Sequence, residues 1–265
     1  MSIVRLSVWT VLAMVALETE ARAEPNALEY QLDIDGPIAL ATGIGWIRAI
    51  TLREAIGPAT CRWCATNSFD LAARRALLWS DPIAAQKVVE VVGFGIGPGF
   101  IFGADFLAAW HDRSWQRSIE DAVLIAEASA IASDVNLVLR FSIARERPWA
   151  SVLTPAEKAE PQNKTADANM SFFSGHATFL FAMATAAGTI ATMRGYRWAP
   201  MVWLVGLPFA FAASYLRIAS DDHWMSDVLV GVAAGTAMGV AIPYFAHKRV
   251  KLAPTGSTLS LVGAF

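Results

Sequence analysis

The chain has 265 residues, a formal net charge of −2, 55% hydrophobic and 17% charged residues, and a mean hydropathy of +0.43. That length suits one large domain or two small ones. The charge balance excludes a globally basic nucleic-acid surface, and the apolar bias favours an integral membrane protein over the alternative of a very apolar soluble helical domain.

The first residues read MSIVRLSVWTVLAMVALETEARAEPN. One positive charge, Arg5, precedes an apolar stretch from Val8 to Leu17, and Ala21-Arg22-Ala23 forms a small-x-small cleavage site. This layout predicts a secretory signal peptide over residues 1–23. An uncleaved signal anchor is the alternative. Residues 24–87 then form a periplasmic or interfacial region. Its apolar run Ile38–Ile50 is interrupted by Gly43 and Gly45 and is expected to lie on the surface or against the bundle without crossing. The two cysteines, Cys61 and Cys64, stand in CRWC. In an exported chain a local disulfide is the leading reading. A thioredoxin-like site would need a βαβ context, and a zinc site would need two further ligands.

Apolar helical stretches dominate the rest and predict an all-α multi-helix bundle, membrane-embedded with about five spans. They run over Val88–Trp110, Ala122–Phe141, Ala177–Met193, Trp198–Tyr215 and Met225–Phe245. Residues 88–250 form the helical core, 148–171 a long loop and 251–265 a tail. Glu90, Asp105, Glu127, Asp134 and Arg140 lie inside the runs, where charge marks function or a protein-facing side.

If the five helices alternate, one side carries HDRSWQR (111–117), RGYR (194–197) and HKRVK (247–251), with seven Lys/Arg and one acid. That side is expected to be cytoplasmic, and the other periplasmic. A cleaved signal also starts the mature chain in the periplasm. His111 and His247, on the basic side, read as surface residues.

Three clusters fall on the periplasmic side. In RFSIARERP, Arg140 and Arg147 are seven residues apart, a spacing that puts both guanidiniums on one helical face before Pro148 ends the helix. Paired arginines suit a phosphate, whose oxygens they bind in charge-assisted forks. In SFFSGHATFLFA, Ser174 and Gly175 open a helix whose free amides and dipole favour an anion, and His176 lies in its first turn. In LRIASDDHWMSDVLVG, Arg217 closes one helix. His223 and Asp227 follow at i,i+4 spacing, so a carboxylate can orient an imidazole. Asp221 and Asp222 lack a role beyond a helix cap. Taken singly, each cluster also reads as an ordinary helix end.

Together they resemble the three-part signature of the type 2 phosphatidic acid phosphatase superfamily, which includes lipid phosphatases, bacterial acid phosphatases and vanadium haloperoxidases. Arg140-x6-Arg147-Pro148, Phe173-Ser174-Gly175-His176 and Leu216-Arg217-x5-His223-x3-Asp227 keep the family spacing over about half the chain. Arg140 replaces the family's Lys, Phe173 its Pro and Leu216 its Ser.

The resemblance implies that His223 attacks phosphorus to give a phosphohistidine, Asp227 orients it and His176 protonates the leaving oxygen. Arg140, Arg147, Arg217 and the Ser174 and Gly175 amides then hold the phosphoryl oxygens. Three arginines can supply the positive charge and no carboxylate cluster of magnesium-site character accompanies the motifs, so no metal and no cofactor are expected. The apolar helices around the site point to a lipid phosphate or diphosphate as substrate, and the charge asymmetry to an active site facing the periplasm of a bacterial-type envelope. A soluble periplasmic acid phosphatase, a vanadate-dependent haloperoxidase and a non-catalytic relic are the alternatives.

Overall fold

The computed structural model describes residues 28–247, together with the backbone of 251–255 and 258–262. The expected signal peptide lies outside the described residues. Seven helices longer than two turns occur among the described residues. They are α1 (Leu32–Thr51), α2 (Ser68–Leu77), α3 (Pro82–His111), α4 (Arg117–Ile143), α5 (Gly175–Met193), α6 (Ala199–Ala219) and α7 (Met225–Ala246). Part of the expected tail forms a hairpin of Lys251–Thr255 with Thr258–Val262. The bundle is all-α, and α3 to α7 are the five helices long and apolar enough to cross a membrane.

The apolar pattern explains the arrangement. α5 carries apolar or small residues around its whole circumference and is the central, most buried helix. A helix greasy on every side belongs inside a bundle. α7 packs against it through Gly231, Gly235 and Gly239. A Cβ at Gly235 would stand 2.4 Å from the Thr178 carbonyl oxygen. Such small-residue stripes let two backbones approach closely. Outward faces stay apolar: Leu204 is 75% exposed and Phe245 79%.

α3 to α7 alternate in direction. The start of α3, the end of α4, the start of α5, the end of α6 and the start of α7 therefore share one end of the bundle. The joints 111–117 and 194–198 and His247 share the other. α3 contains a π-helical turn at Val92–Ile96, a feature often found at functional sites.

α1 lies against the bundle, packed on α4. The Glu29 backbone N–H donates to the His247 carbonyl at 2.7 Å, at the basic end. Beyond its other terminus Glu54 accepts from the Ala166 N–H at 2.9 Å, in the long loop at the opposite end. The helix therefore runs the height of the bundle alongside α4. Its 20 residues are about 30 Å long at 1.5 Å per residue. Gly, Pro and Asp interrupt its apolar run, and it is not among the five helices long and apolar enough to cross a membrane. His247 is also not a surface residue: it is buried, with Nε2 3.4 Å from Glu127 and Nδ1 3.9 Å from Asp35. Burial and the two carboxylates act in opposite directions on its pKa, and the carboxylates raise it. The triad ties α1 to α4 and to the end of α7.

Candidate active site

The cationic rim is built by chain ends. α4 stops at Ile143 because Ala144 takes a left-handed conformation (φ 51°). Arg140 is thus in the last helical turn, while Arg147 lies in extended backbone before Pro148. The expected shared helical face does not exist. The two guanidiniums are gathered instead by Asp167 from the long loop. Arg147 Nη2 lies 3.0 Å and Arg140 Nη2 3.8 Å from its Oδ1. Burial alone would raise the Asp167 pKa, but Arg147 and Arg140, aided by Arg53, hold it at about 2. Arg217 lies 3.1 Å from Asp222 Oδ2 and donates to Gln86 Oε1 at 2.9 Å. Asp222 also accepts, through its carbonyl, from Arg147 Nη1 at 2.8 Å. Asp222 and Asp221 are therefore not simple caps. Asp222 bridges two arginines, and Asp221 holds a two-pronged pair with Arg74 at 2.6 Å.

Ser174 occupies the N-cap of α5 but makes no capping bond with its side chain. Its hydroxyl has no partner among the described residues. Gly175 is closely surrounded: a Cβ there would sit 3.2 Å from Asn136 Oδ1 and 3.5 Å from Arg140 Nη1. His176 lies under the π-helical turn of α3. A Cβ on Gly93 would come within 2.7 Å of its Cδ2, and the Phe94 ring lies 4.6 Å from its imidazole. Its Nε2 is 3.8 Å from Glu90, too far for a hydrogen bond.

His223 precedes α7, whose N-cap is Trp224. Its Nδ1 lies 2.7 Å from the Ser171 carbonyl, which can only accept. Nδ1 therefore carries the proton and Nε2 the lone pair. Nε2 is 3.4 Å from Arg147 Nη1. Burial, then Arg147, Arg217 and Arg140, hold the His223 pKa well below its usual value, so the imidazole is neutral. Asp227 lies 3.9 Å from Nδ1. Its Oδ2 accepts instead from Ser171 Oγ at 2.5 Å and from the Trp224 N–H at 3.0 Å.

Sequence reading missed the layer behind Asp227. Arg145 donates to Asp227 Oδ1, to Ser226 Oγ at 2.8 Å and to Asp70 Oδ2 at 2.7 Å. Burial would raise the Asp70 pKa, but hydrogen bonds from Ser226 and Arg145 keep it below its usual value. Cys61 and Cys64 are joined in a disulfide whose loop hydrogen-bonds to the Ala144 carbonyl. From that loop Trp63 places its ring 4.1 Å from the Arg145 guanidinium. The extra arginine in RFSIARERP was a signal, but Asp70 is too remote in sequence to be paired with it by spacing.

Eight buried side-chain polar atoms lack hydrogen-bond partners among the described residues, and Ser174 Oγ, His176 Nε2 and Arg217 Nε are three of them. Buried polar groups are ordinarily satisfied. Three unsatisfied groups beside Arg140, Arg147 and His223 suit a ligand that accepts from several donors and offers oxygens in several directions, as a phosphoryl group does.

Residues 121–251 match the family model described as PAP2 superfamily. Phospholipid phosphatase 2 of Rattus norvegicus is 34% identical over 83 residues, covering 29% of this chain and 30% of that protein. The match thus spans less than a third of the curated relative. No solved structure matches.

Proposed function

Through residues 121–251 this chain belongs to the PAP2 superfamily, and we propose that it is a membrane phosphatase that hydrolyses a lipid phosphomonoester or diphosphate. The carrying observation is the set of unpartnered polar atoms on Ser174, His176 and Arg217 beside a neutral His223. The Nε2 lone pair of His223 attacks phosphorus and forms an N–P bond while the P–O bond to the alcohol or phosphate leaving group breaks. His176 gives the leaving oxygen a proton. Water then attacks the phosphohistidine, His176 takes a proton from it, and the N–P bond breaks to release phosphate. Arg140, Arg147, Arg217, the Gly175 amide and the Ser174 hydroxyl hold the equatorial oxygens, where charge gathers in the transition state. The expected Ser174 amide does not take part, because it donates to the Asp227 carbonyl at 3.1 Å.

Three guanidiniums supply positive charge that a metal often provides in phosphoryl transfer. The neighbouring carboxylates Asp167 and Asp222 are bound to those arginines. We therefore propose turnover without a metal or other cofactor.

The lipid reading is supported by apolar surface next to the site. Phe94 packs on His176 while remaining 47% exposed, and the helices below present apolar faces outward. The Cys61–Cys64 disulfide lies at the catalytic end, which suits the oxidising, periplasmic side of a bacterial-type envelope. A panel of detergent-dispersed lipid phosphates and diphosphates beside a soluble aryl phosphate tests this. Turnover of the lipids, lost in His223→Ala, is expected. Preference for the aryl phosphate would favour a small-ester phosphatase, and vanadate-dependent halide oxidation would favour a haloperoxidase.

A further inference from the structure

We propose that Arg145, with Asp70 behind it, is the positioning residue for the nucleophile: it fixes Asp227 and Ser171, and through them sets the orientation and charge state of His223. The inference rests on the proposed role of His223 as nucleophile. It assigns a function to a residue at a position that the first motif leaves unspecified.

The geometry closes a loop. The Arg145 side chain binds Asp227 Oδ1, leaving Oδ2 for Ser171 Oγ at 2.5 Å. The Arg145 carbonyl accepts from the Ser171 N–H at 2.9 Å. The Ser171 carbonyl then accepts from His223 Nδ1 at 2.7 Å. Side chain and main chain of one residue thus grip both groups that face the imidazole on its Nδ1 side. Arg145 is itself immobilised. It is 1% exposed, held by Asp70 and Ser226, and roofed by Trp63 at 4.1 Å. The disulfide loop is hydrogen-bonded to the same backbone: Glu146 N–H donates to the Trp63 carbonyl at 3.1 Å.

Charge gives the arrangement a second effect. Asp70 and Asp227 with one guanidinium leave a single buried negative charge behind His223. That charge stabilises the positive charge that develops on the imidazole as Nε2 bonds to phosphorus. On the other side, Arg147, Arg217 and Arg140 favour the neutral ring, with Asp222 between Arg147 and Arg217. Without Arg145, two negative charges would face His223. The ring would hold its proton to higher pH, and its lone pair would be less available.

The chain has four histidines, so His223 can be resolved by nitrogen NMR in the detergent-solubilised full chain, with His223→Gln identifying its signals. Arg145→Gln is expected to raise the His223 pKa by about one unit. Asp70→Asn, which removes a negative charge, is expected to lower it. Opposite shifts from neighbouring substitutions are not produced by loosened packing alone. In turnover, Arg145→Gln is expected to lower kcat about 10- to 100-fold with little change in KM, as for partners that orient a reacting group. Arg145→Lys is expected to restore the pKa but only part of kcat.

An unmoved His223 pKa in Arg145→Gln overturns the proposal, as does a kcat within about threefold of wild type. Should Arg145→Gln fail to fold, Asp70→Asn and Arg145→Lys decide by the same readouts. The NMR titration does not depend on turnover. Full activity in His223→Ala would remove the nucleophile assignment, whereas failure of the pKa shifts removes only the role of Arg145.

Discussion

His223 donates its Nδ1 proton to the backbone carbonyl of Ser171, at 2.7 Å. Asp227, the carboxylate that spacing assigns to this job, lies 3.9 Å away and grips the Ser171 hydroxyl instead. A peptide carbonyl fixes the tautomer as firmly as a carboxylate does, but carries no full charge. The carboxylate then acts one step removed.

Asp227→Asn should therefore lower kcat without abolishing it, because the Ser171 carbonyl still holds the ring. A loss of about 10- to 100-fold is expected from removing an orienting partner. Ser171→Ala should cause a smaller loss, since the carbonyl remains. Steady-state kinetics on the purified variants check both. Asp227→Asn reducing the enzyme to the level of His223→Ala would show that the carboxylate acts directly.

Acid should act on both rate and stability. His223 is held neutral in the fold well below its usual pKa, so the acid limb of kcat/KM should lie below about 6.5. In the unfolded chain the same ring takes up a proton as pH falls through about 6.5, so the unfolded state binds more protons and stability is lost below that pH. Asp167, held at about 2, adds stability that is present above about 3.9 and disappears as pH falls toward 2. Thermal melts in detergent should show a midpoint that falls from pH 6 to pH 4, a range in which the stability from the raised pKa of His247 is already fully present. A flat profile would contradict the buried neutral histidine.

Gly93→Ala tests the wall behind the proposed acid. A Cβ there would meet His176 Cδ2 at 2.7 Å, so the ring must shift. Misplacing a catalytic group costs rate more than binding. A kcat loss with the melting midpoint near wild type is expected. Gly235→Ala should do the reverse. Its Cβ would press on the Thr178 carbonyl at 2.4 Å, and the overpacking should cost about 1–3 kcal/mol.

The ends of the bundle carry a topological prediction. Glu29 and His247 are hydrogen-bonded at the basic end, while Arg62 and Asp167 lie at the catalytic end. Single cysteines placed at Arg62 and Asp167 in a Cys61→Ser, Cys64→Ser background should react with an impermeant thiol reagent from outside intact cells. Cysteines at Glu29 and Arg197, both exposed at the basic end, should react only after permeabilisation. Labelling of the Glu29 cysteine from outside would contradict a cytoplasmic basic end.

Much of this site was legible because its parts are local. The spacings from Arg140 to Arg147 and from His223 to Asp227, and the run Ser174 to His176, are short, so helix ends and turns bring their residues to one place. The fine structure was not legible, and two residues explain why. Ala144 breaks α4 with a left-handed conformation that an alanine does not advertise, so the arginines meet through Asp167 rather than along a helix. Asp70 reaches Arg145 across 75 residues, a separation at which pairing depends on the whole fold. His247 escaped for the same reason. Its burial depends on α1, whose glycines and acids mask it as a helix of the bundle.

The central claim is that His223 carries the phosphoryl group. Purified protein mixed with lipid substrate labelled in the terminal phosphate, then quenched in alkali to preserve a phosphoramidate, gives the direct measurement. The expected result is an acid-labile label on the peptide containing His223, absent in His223→Ala and accumulating in a His176→Ala variant with a good leaving group. Label at another residue, or undiminished turnover by His223→Ala, would contradict it.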